Sequence, residues 1–189
     1  MSNDAAPLAS VLWHDRDGLG AERCRLHETD SGFLIEGVAV FANAGMPAIG
    51  RYEVVVDRAW RTRTVWAELD DGRAVREVQL EADGFGRWRL AGADVDVGVG
   101  CIDVDLNFSP STNTLPIRRL ELEIGASATI RALWLRLPNL SLEAIEQRYE
   151  RTSENMWQYN SGAFRAEILT GAQGLVSDYE GIWQAIAWG

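Results

Sequence analysis

The sequence predicts a mainly β protein that forms a single domain over residues 1–189, and three observations support this. Apolar and polar residues alternate in short runs from about residue 20 to residue 138, which is the period of strands with one buried face. Gly, Asp and Asn separate these runs at the spacing of an antiparallel meander. The length of 189 residues allows one domain with a substantial core.

The candidate strands follow one another along the chain. Before Pro138 they are residues 22–27, 33–42, 50–57, 62–69, 73–82, 86–91, 101–108, 117–124 and 129–138. The turn sequences between them are 30–32, 43–45, 70–72, 83–84 and 125–127. The C-terminal third continues the sheet with strand-like segments at 157–159, 163–170 and 175–188.

One short helix is expected after Pro138, near residues 141–150. Ser141 can cap its N-terminus through the side-chain hydroxyl. Glu143 and Glu146 then lie near the positive end of the helix dipole, which stabilises the first turn.

The charge of the chain argues against several classes of partner. A net charge of −10 and a pI near 4.7 disfavour nucleic acid and anionic membrane surfaces, which attract concentrated positive charge. We therefore expect no nucleic-acid partner. All 18 basic residues are Arg, whose planar guanidinium suits carboxylates, phosphates and sugar hydroxyls.

Cysteine usage and hydropathy predict a cytoplasmic protein with reduced thiols. Cys24 and Cys101 are far apart and lack metal-type spacing, and the first residues lack a signal-peptide pattern. We expect no integral membrane segment, because no run approaches the ~18 apolar residues of a spanning helix. No phosphate-binding loop, nucleotide fingerprint or zinc pattern occurs, so we expect neither cofactor nor metal.

The strand at 101–108 and the residue after it concentrate polar groups on one face. That face carries Cys101, Asp103, Asp105, Asn107 and Ser109, and the other carries Ile102, Val104, Leu106 and Phe108. The polar face lines a ligand cavity, faces solvent as in a plain interaction domain, or holds carboxylates paired to Arg118, Arg119 or Arg131. A divalent metal on Asp103 and Asp105 is the weaker alternative.

The residues of this strand argue against two specific chemistries. A calcium-binding EF-hand requires Gly where Phe108 stands and Glu where Thr114 stands. Cys101 is expected to be buried and inert, because Asp103 and Asp105 would raise the pKa of its thiol.

Two further sets of residues have both a structural and a functional interpretation. The eight tryptophans fit a core position individually, but as a group they can also line a sugar or acyl pocket. Glu36 and Asp57 belong to apolar strands, so either is a candidate acid or base. A hydrolase or isomerase using Asp103 with Asp57 or Glu36 is therefore the alternative function.

Several motifs resemble the bacterial putative glycolipid-binding family, formerly a domain of unknown function. The most specific is Ser-Pro-Ser-Thr-Asn-Thr-Leu-Pro-Ile-Arg-Arg-Leu at 109–120, which follows Cys101, Asp103 and Asp105. The similarity extends over nearly the whole chain through motifs that are weaker individually. They include Tyr52, Val54, Val56, Asp57, Trp60 and Arg63, Gly86 with Trp88, Pro138 with Leu140, Gln147 with Tyr149, and Gly174 with Tyr179 and Trp183.

The resemblance implies a single curved antiparallel sheet rolled into a half-barrel or β-roll, whose concave side holds a lipid chain. The residues expected to line or shape the site are Asp57, Trp60, Trp88, Cys101, Asp103, Asp105, Asn113, Arg118, Arg119, Tyr149 and Tyr179. The family provides no catalytic residues to transfer.

The leading hypothesis is a soluble, non-catalytic protein that binds an amphipathic, glycolipid-like small molecule. Tryptophans would contact its apolar part, while Asp103, Asp105, Asn113, Arg118 and Arg119 would bind its polar head. The sequence leaves the ligand's identity and the oligomeric state open.

Overall fold

The computed structural model describes residues 6–189 and has fifteen strands in one sheet. The strands are β1 (Ala9–Asp15), β2 (Ala21–Thr29), β3 (Gly32–Asn43), β4 (Met46–Asp57), β5 (Thr62–Asp70), β6 (Val75–Ala82), β7 (Trp88–Leu90), β8 (Ala93–Asp94), β9 (Asp103–Leu106), β10 (Ser127–Arg136), β11 (Ser141–Arg151), β12 (Met156–Ser161), β13 (Phe164–Thr170), β14 (Val176–Tyr179) and β15 (Trp183–Trp188). Helix α1 (Thr114–Leu120) lies between β9 and β10, and 3-10 turns occur at Asp96–Gly98, Ser111–Asn113 and Ala172–Gly174. The mainly β prediction is confirmed.

The sheet is curved and open, with the strand order β8-β7-β6-β5-β4-β3-β2-β1-β15-β14-β13-β12-β11-β10-β9. Neighbouring strands run antiparallel except β9 and β10, which are parallel. This exception has a topological cause, because the connection from β9 to β10 contains α1 and crosses over as parallel pairing requires. No helix within residues 6–189 has the length and apolar character needed to cross a membrane.

The prediction of a short helix near residues 141–150 is wrong, because this segment is strand β11. It pairs with β10 from Ser141 to Glu150 and with β12 from Arg148 to Arg151. Gln147 and Tyr149 are buried on one face, which is the strand period. Sheet pairing on both sides therefore outweighs the local capping signal of Ser141.

The prediction of a strand at 117–124 is also wrong, because the first residues of this segment belong to α1. Pro116 stands in the first turn of the helix, where a backbone N–H has no intrahelical partner to lose. Glu121 adopts a left-handed conformation with φ 46° and ends the helix. The segment expected at 175–188 divides into β14 and β15, and β1 was not predicted.

Residues 101–120, here called the inner segment, begin with the edge strand β9 and pack against the concave side of the sheet. Phe108 stacks on Phe41 at 5.6 Å between ring centroids and meets the Tyr52 ring edge-on at 6.1 Å. Gly50 provides the space for Phe108, since a Cβ there would lie 2.8 Å from its ring. Leu106 and Leu115 are fully buried in the same core. The polar strand of the inner segment therefore lies inside the fold.

A buried carboxyl group connects the inner segment to the sheet. Glu22 Oε1 accepts hydrogen bonds from the Tyr52 hydroxyl at 2.5 Å and from Ser109 Oγ at 2.7 Å. Oε2 has no hydrogen-bond partner among the residues described. Burial raises the pKa of Glu22 to about 8, although the two hydrogen bonds lower it. Glu22 is therefore mostly uncharged at neutral pH, a role that the sequence did not reveal.

We predict that Gly50→Ala destabilises the protein by about 1–3 kcal/mol through overpacking against Phe108. Chemical denaturation of Gly50→Ala, Phe108→Leu and the double variant measures this effect. Because the smaller side chain removes the clash, the double variant should lose less stability than the two single losses combined. Strict additivity would show that Phe108 does not press on this glycine.

A second prediction concerns the pH dependence of folding. The folded state holds a proton on Glu22 up to a pH of about 8, while the unfolded chain releases it near 4.5, so stability should fall as pH rises between these values. The loss attributable to Glu22 is on the order of 5 kcal/mol. Glu22→Gln should remove this component, whereas Glu53→Gln at an exposed position on β4 should not.

Urea denaturation of the three proteins from pH 5 to pH 9 measures this difference. Near pH 5 the wild type and Glu22→Gln should have similar stability, and above pH 8 the variant should be more stable by several kcal/mol. Parallel stability curves for the wild type and Glu22→Gln would contradict the assignment.

Candidate functional site

Asp103 points into the fold and pairs with α1. Its Oδ1 accepts a hydrogen bond from Arg119 Nε at 3.0 Å, and its Oδ2 accepts one from Arg119 Nη2. Only 1% of the Asp103 side chain and 14% of the Arg119 side chain are exposed. Burial raises the pKa of Asp103, while the guanidinium acts in the opposite direction. Asp103 therefore forms an arginine–carboxylate pair, which is one of the alternatives expected from the sequence, and its partner is Arg119 on α1.

Asp105 belongs to a polar network without an arginine. Gln147 Nε2 donates to Asp105 Oδ2, and the Tyr149 hydroxyl lies 3.2 Å from Gln147 Oε1 and 2.9 Å from Asn113 Oδ1. Burial raises the pKa of Asp105 to about 6, although Gln147 lowers it. The network connects β9 and β11 to the turn that precedes α1.

The remaining interior residues of the expected site pack in the core. Tyr179 and Tyr149 each pack edge-on to Tyr159, with ring centroids 5.9 Å and 5.1 Å apart. Trp88 is buried and its indole N–H donates to the Cys101 carbonyl oxygen at 2.7 Å. Cys101 is itself buried, and burial raises the pKa of its thiol. These residues are part of the protein core.

A cavity of about 800 Å³ opens at the C-terminal end of α1, and we call it the arginine cleft. Its side chains come from the β3 start, the β4–β5 turn, α1 and the segments around β12 and β13. Four arginines and three aromatic residues define it: Arg58, Arg118, Arg119, Arg151, Phe33, Trp60 and Trp157. Glu121 and Glu154 also line it, and both are exposed.

One wall of the cleft is a column of two stacked aromatic rings, each with an arginine over it. The Arg58 guanidinium lies 5.6 Å from the centre of the Phe33 ring, and Phe33 stacks on Trp60 at 4.5 Å with an interplanar angle of 18°. The Arg118 guanidinium lies 5.0 Å from the centre of the Trp60 ring. Cation–π attraction and ring stacking together fix the side chains of this wall.

The β4–β5 turn places Trp60 in this column. Asp57 Oδ1 accepts hydrogen bonds from the backbone N–H groups of Ala59 at 2.9 Å and Arg61 at 3.0 Å. Trp60 has a left-handed backbone with φ 60°, which L-residues with large side chains rarely adopt. Asp57 therefore contributes to the cleft by shaping the turn, without lining it.

Arg151 forms the opposite wall, 5.7 Å from the centre of the Trp157 ring. Its guanidinium donates to the carbonyl oxygens of Leu122 at 2.9 Å, Ser153 at 3.3 Å and Glu154 at 2.8 Å. These acceptors are neutral, so they orient the side chain without compensating its charge. Three of its five N–H donors are used, which leaves two for a ligand.

The structure brings together three of the eleven residues predicted for the site. Trp60, Arg118 and Arg119 line the cleft. Asp57 lies next to it, and of the other seven residues five are buried and two, Asp105 and Asn113, are half-buried. Contact with a ligand stays a prediction for all of them.

Sequence reasoning missed Phe33, Arg58, Arg151 and Trp157 as members of one site. They come from β3, the β4–β5 turn, β11 and β12, and no local motif joins them. Only the richness of the chain in arginine and tryptophan was visible beforehand.

The acids considered for catalysis do not converge. Glu36 lies on the outer face of β3, where it forms an ion pair with Arg25 and a hydrogen bond with His27 Nε2. Asp57 is engaged in its turn, and Asp103 is engaged with Arg119. The geometry therefore does not assemble Asp103 with either partner into an acid–base pair.

Comparison with known proteins supports the same fold. A crystal structure of a DUF1089 family protein from Pseudomonas aeruginosa is 33% identical in sequence, with a TM-score of 0.82 over 89% of this chain and 92% of that chain. No curated protein matches the sequence significantly. The model of a family described as putative glycolipid-binding matches residues 10–185, and the chain therefore belongs to that family.

Proposed function

We propose that the protein binds an amphipathic, glycolipid-like small molecule and that the arginine cleft holds the polar head group. The observation that carries the proposal is the cleft itself, which gathers four arginines and three aromatic rings in a chain with a net charge of −10. Its volume of about 800 Å³ lies within the range of small-molecule sites, ~300–1,000 Å³.

The chemistry of the cleft suits both parts of such a ligand. Guanidinium groups donate paired hydrogen bonds to sugar hydroxyls and to oxyanions. Phe33, Ile117 and Leu122 provide apolar surface beside the arginines. Asp103 acts indirectly, because its hydrogen bonds to Arg119 fix the orientation of that guanidinium. The proposed role is binding without catalysis.

Two measurements test this function. Native mass spectrometry of protein purified without detergent should detect a co-purified amphiphile, and octyl β-D-glucoside below its micellar concentration should change the tryptophan fluorescence. The absence of both a co-purified amphiphile and a fluorescence response would overturn the proposal.

We predict that Trp60→Leu weakens octyl β-D-glucoside binding about tenfold, ~1.4 kcal/mol, because it removes aromatic surface that lines the cleft and stacks on Phe33. Isothermal titration calorimetry measures the affinity, and thermal unfolding checks that the variant is folded. Trp66→Phe is the matched control, since Trp66 lies on the outer face of β5. Equal weakening by both substitutions would place the site elsewhere.

A further inference from the structure

Arg118 carries a charge that the protein does not compensate. Within residues 6–189 it forms no ion pair, and none of its five N–H donors has a hydrogen-bond partner. By contrast, Arg119 in the same cleft is paired with Asp103, and Arg58 with Glu28. Arg118 is therefore available to an anion.

The same side chain is held in place before any ligand arrives. Its guanidinium lies over the Trp60 ring, and its stem packs against the turn Ala172–Gly174. A Cβ at Gly174 would lie 2.9 Å from Arg118 Cδ, and Gly174 has φ 80°, so glycine meets both requirements at this position. Preorganisation of this kind reduces the entropy that binding must remove.

Arg151 provides a second positive charge in the cleft. Its hydrogen-bond acceptors are backbone carbonyls, and it takes part in no ion pair of the described chain. Glu121 and Glu154 also line the cleft, but they are exposed and form no ion pairs within residues 6–189. Such carboxylates are acceptors for sugar hydroxyls.

We infer that the head group held in the cleft is an acidic sugar. Its carboxylate or phosphate binds Arg118 and Arg151, and its hydroxyls bind Glu121 and Glu154. The inference rests on the proposed function and names the chemical class of its ligand. A neutral glycolipid would leave the charges of Arg118 and Arg151 uncompensated in the bound state, whereas an oxyanion meets both in charge-assisted hydrogen bonds.

Three matched probes test the inference: octyl β-D-glucoside, octyl β-D-glucuronide and octyl β-D-glucoside 6-phosphate. Their dissociation constants are measured by calorimetry at pH 7, below the micellar concentrations. At least one acidic probe should bind wild-type protein tenfold or more tightly than the neutral glucoside. The tighter acidic probe identifies the preferred oxyanion.

Variants of Arg118 test whether the cleft causes the preference for an acidic probe. Arg118→Gln should weaken binding of the acidic probe much more than binding of the neutral glucoside and so abolish the preference, and Arg118→Lys should retain part of it. Arg73→Gln is the control, because Arg73 is exposed in the β5–β6 turn away from the cleft. Thermal unfolding confirms that each variant is folded.

The outcomes separate the two proposals. Equal binding of all three probes would overturn the acidic head group and leave amphiphile binding intact. A preference that survives Arg118→Gln would also overturn the assignment. Binding of none of the probes would overturn the inference together with the proposed function.

Discussion

Burial of the concave face is the constraint on which the rest of this structure depends. An open sheet of fifteen strands has a large apolar inner surface, and hydrophobic burial requires something to cover it. The chain uses its own inner segment, residues 101–120, for this purpose. Phe108 is fixed between Phe41 and Tyr52, and Ser109 bonds to the buried Glu22. The sheet curvature and the position of the inner segment thus determine each other.

The site depends on the same packing. The helix that ends the inner segment leaves the core with Arg118 and Arg119 on its last turn. Asp103, at the other end of the segment, bonds back to Arg119 and makes the two ends interdependent. The walls of the arginine cleft come from both halves of the sheet, with Trp60 on one side and Trp157 on the other. Core packing therefore sets the width of the cleft.

The strands were the most predictable part of the fold because alternation is a local signal. Residues 33–42 and 50–57 lie within observed strands, and the antiparallel meander is confirmed for these segments. The two errors have one origin, because helix formation at 114–120 and strand formation at 141–151 are decided by tertiary pairing and burial. Neighbours distant in sequence override local propensity at such places.

The site was only partly predictable for a related reason. Arg118 and Arg119 were visible in a motif, and Trp60 in another, but their shared cavity was not. The contacts that define the cleft join residues such as Phe33 and Trp60, or Arg118 and Gly174, which come together only through the curvature of the sheet. Spacing along one strand contains no information about such contacts.

The left-handed backbone of Trp60 shows that the cleft has a conformational cost. A left-handed conformation at a large aromatic residue costs on the order of 1 kcal/mol, and glycine would adopt it without that cost. Glycine would also leave Phe33 and Arg118 without the ring between them. In the β4–β5 turn the backbone conformation favours glycine, whereas the stacking that forms the cleft wall requires Trp60. The protein has tryptophan at this position and accepts the conformational cost.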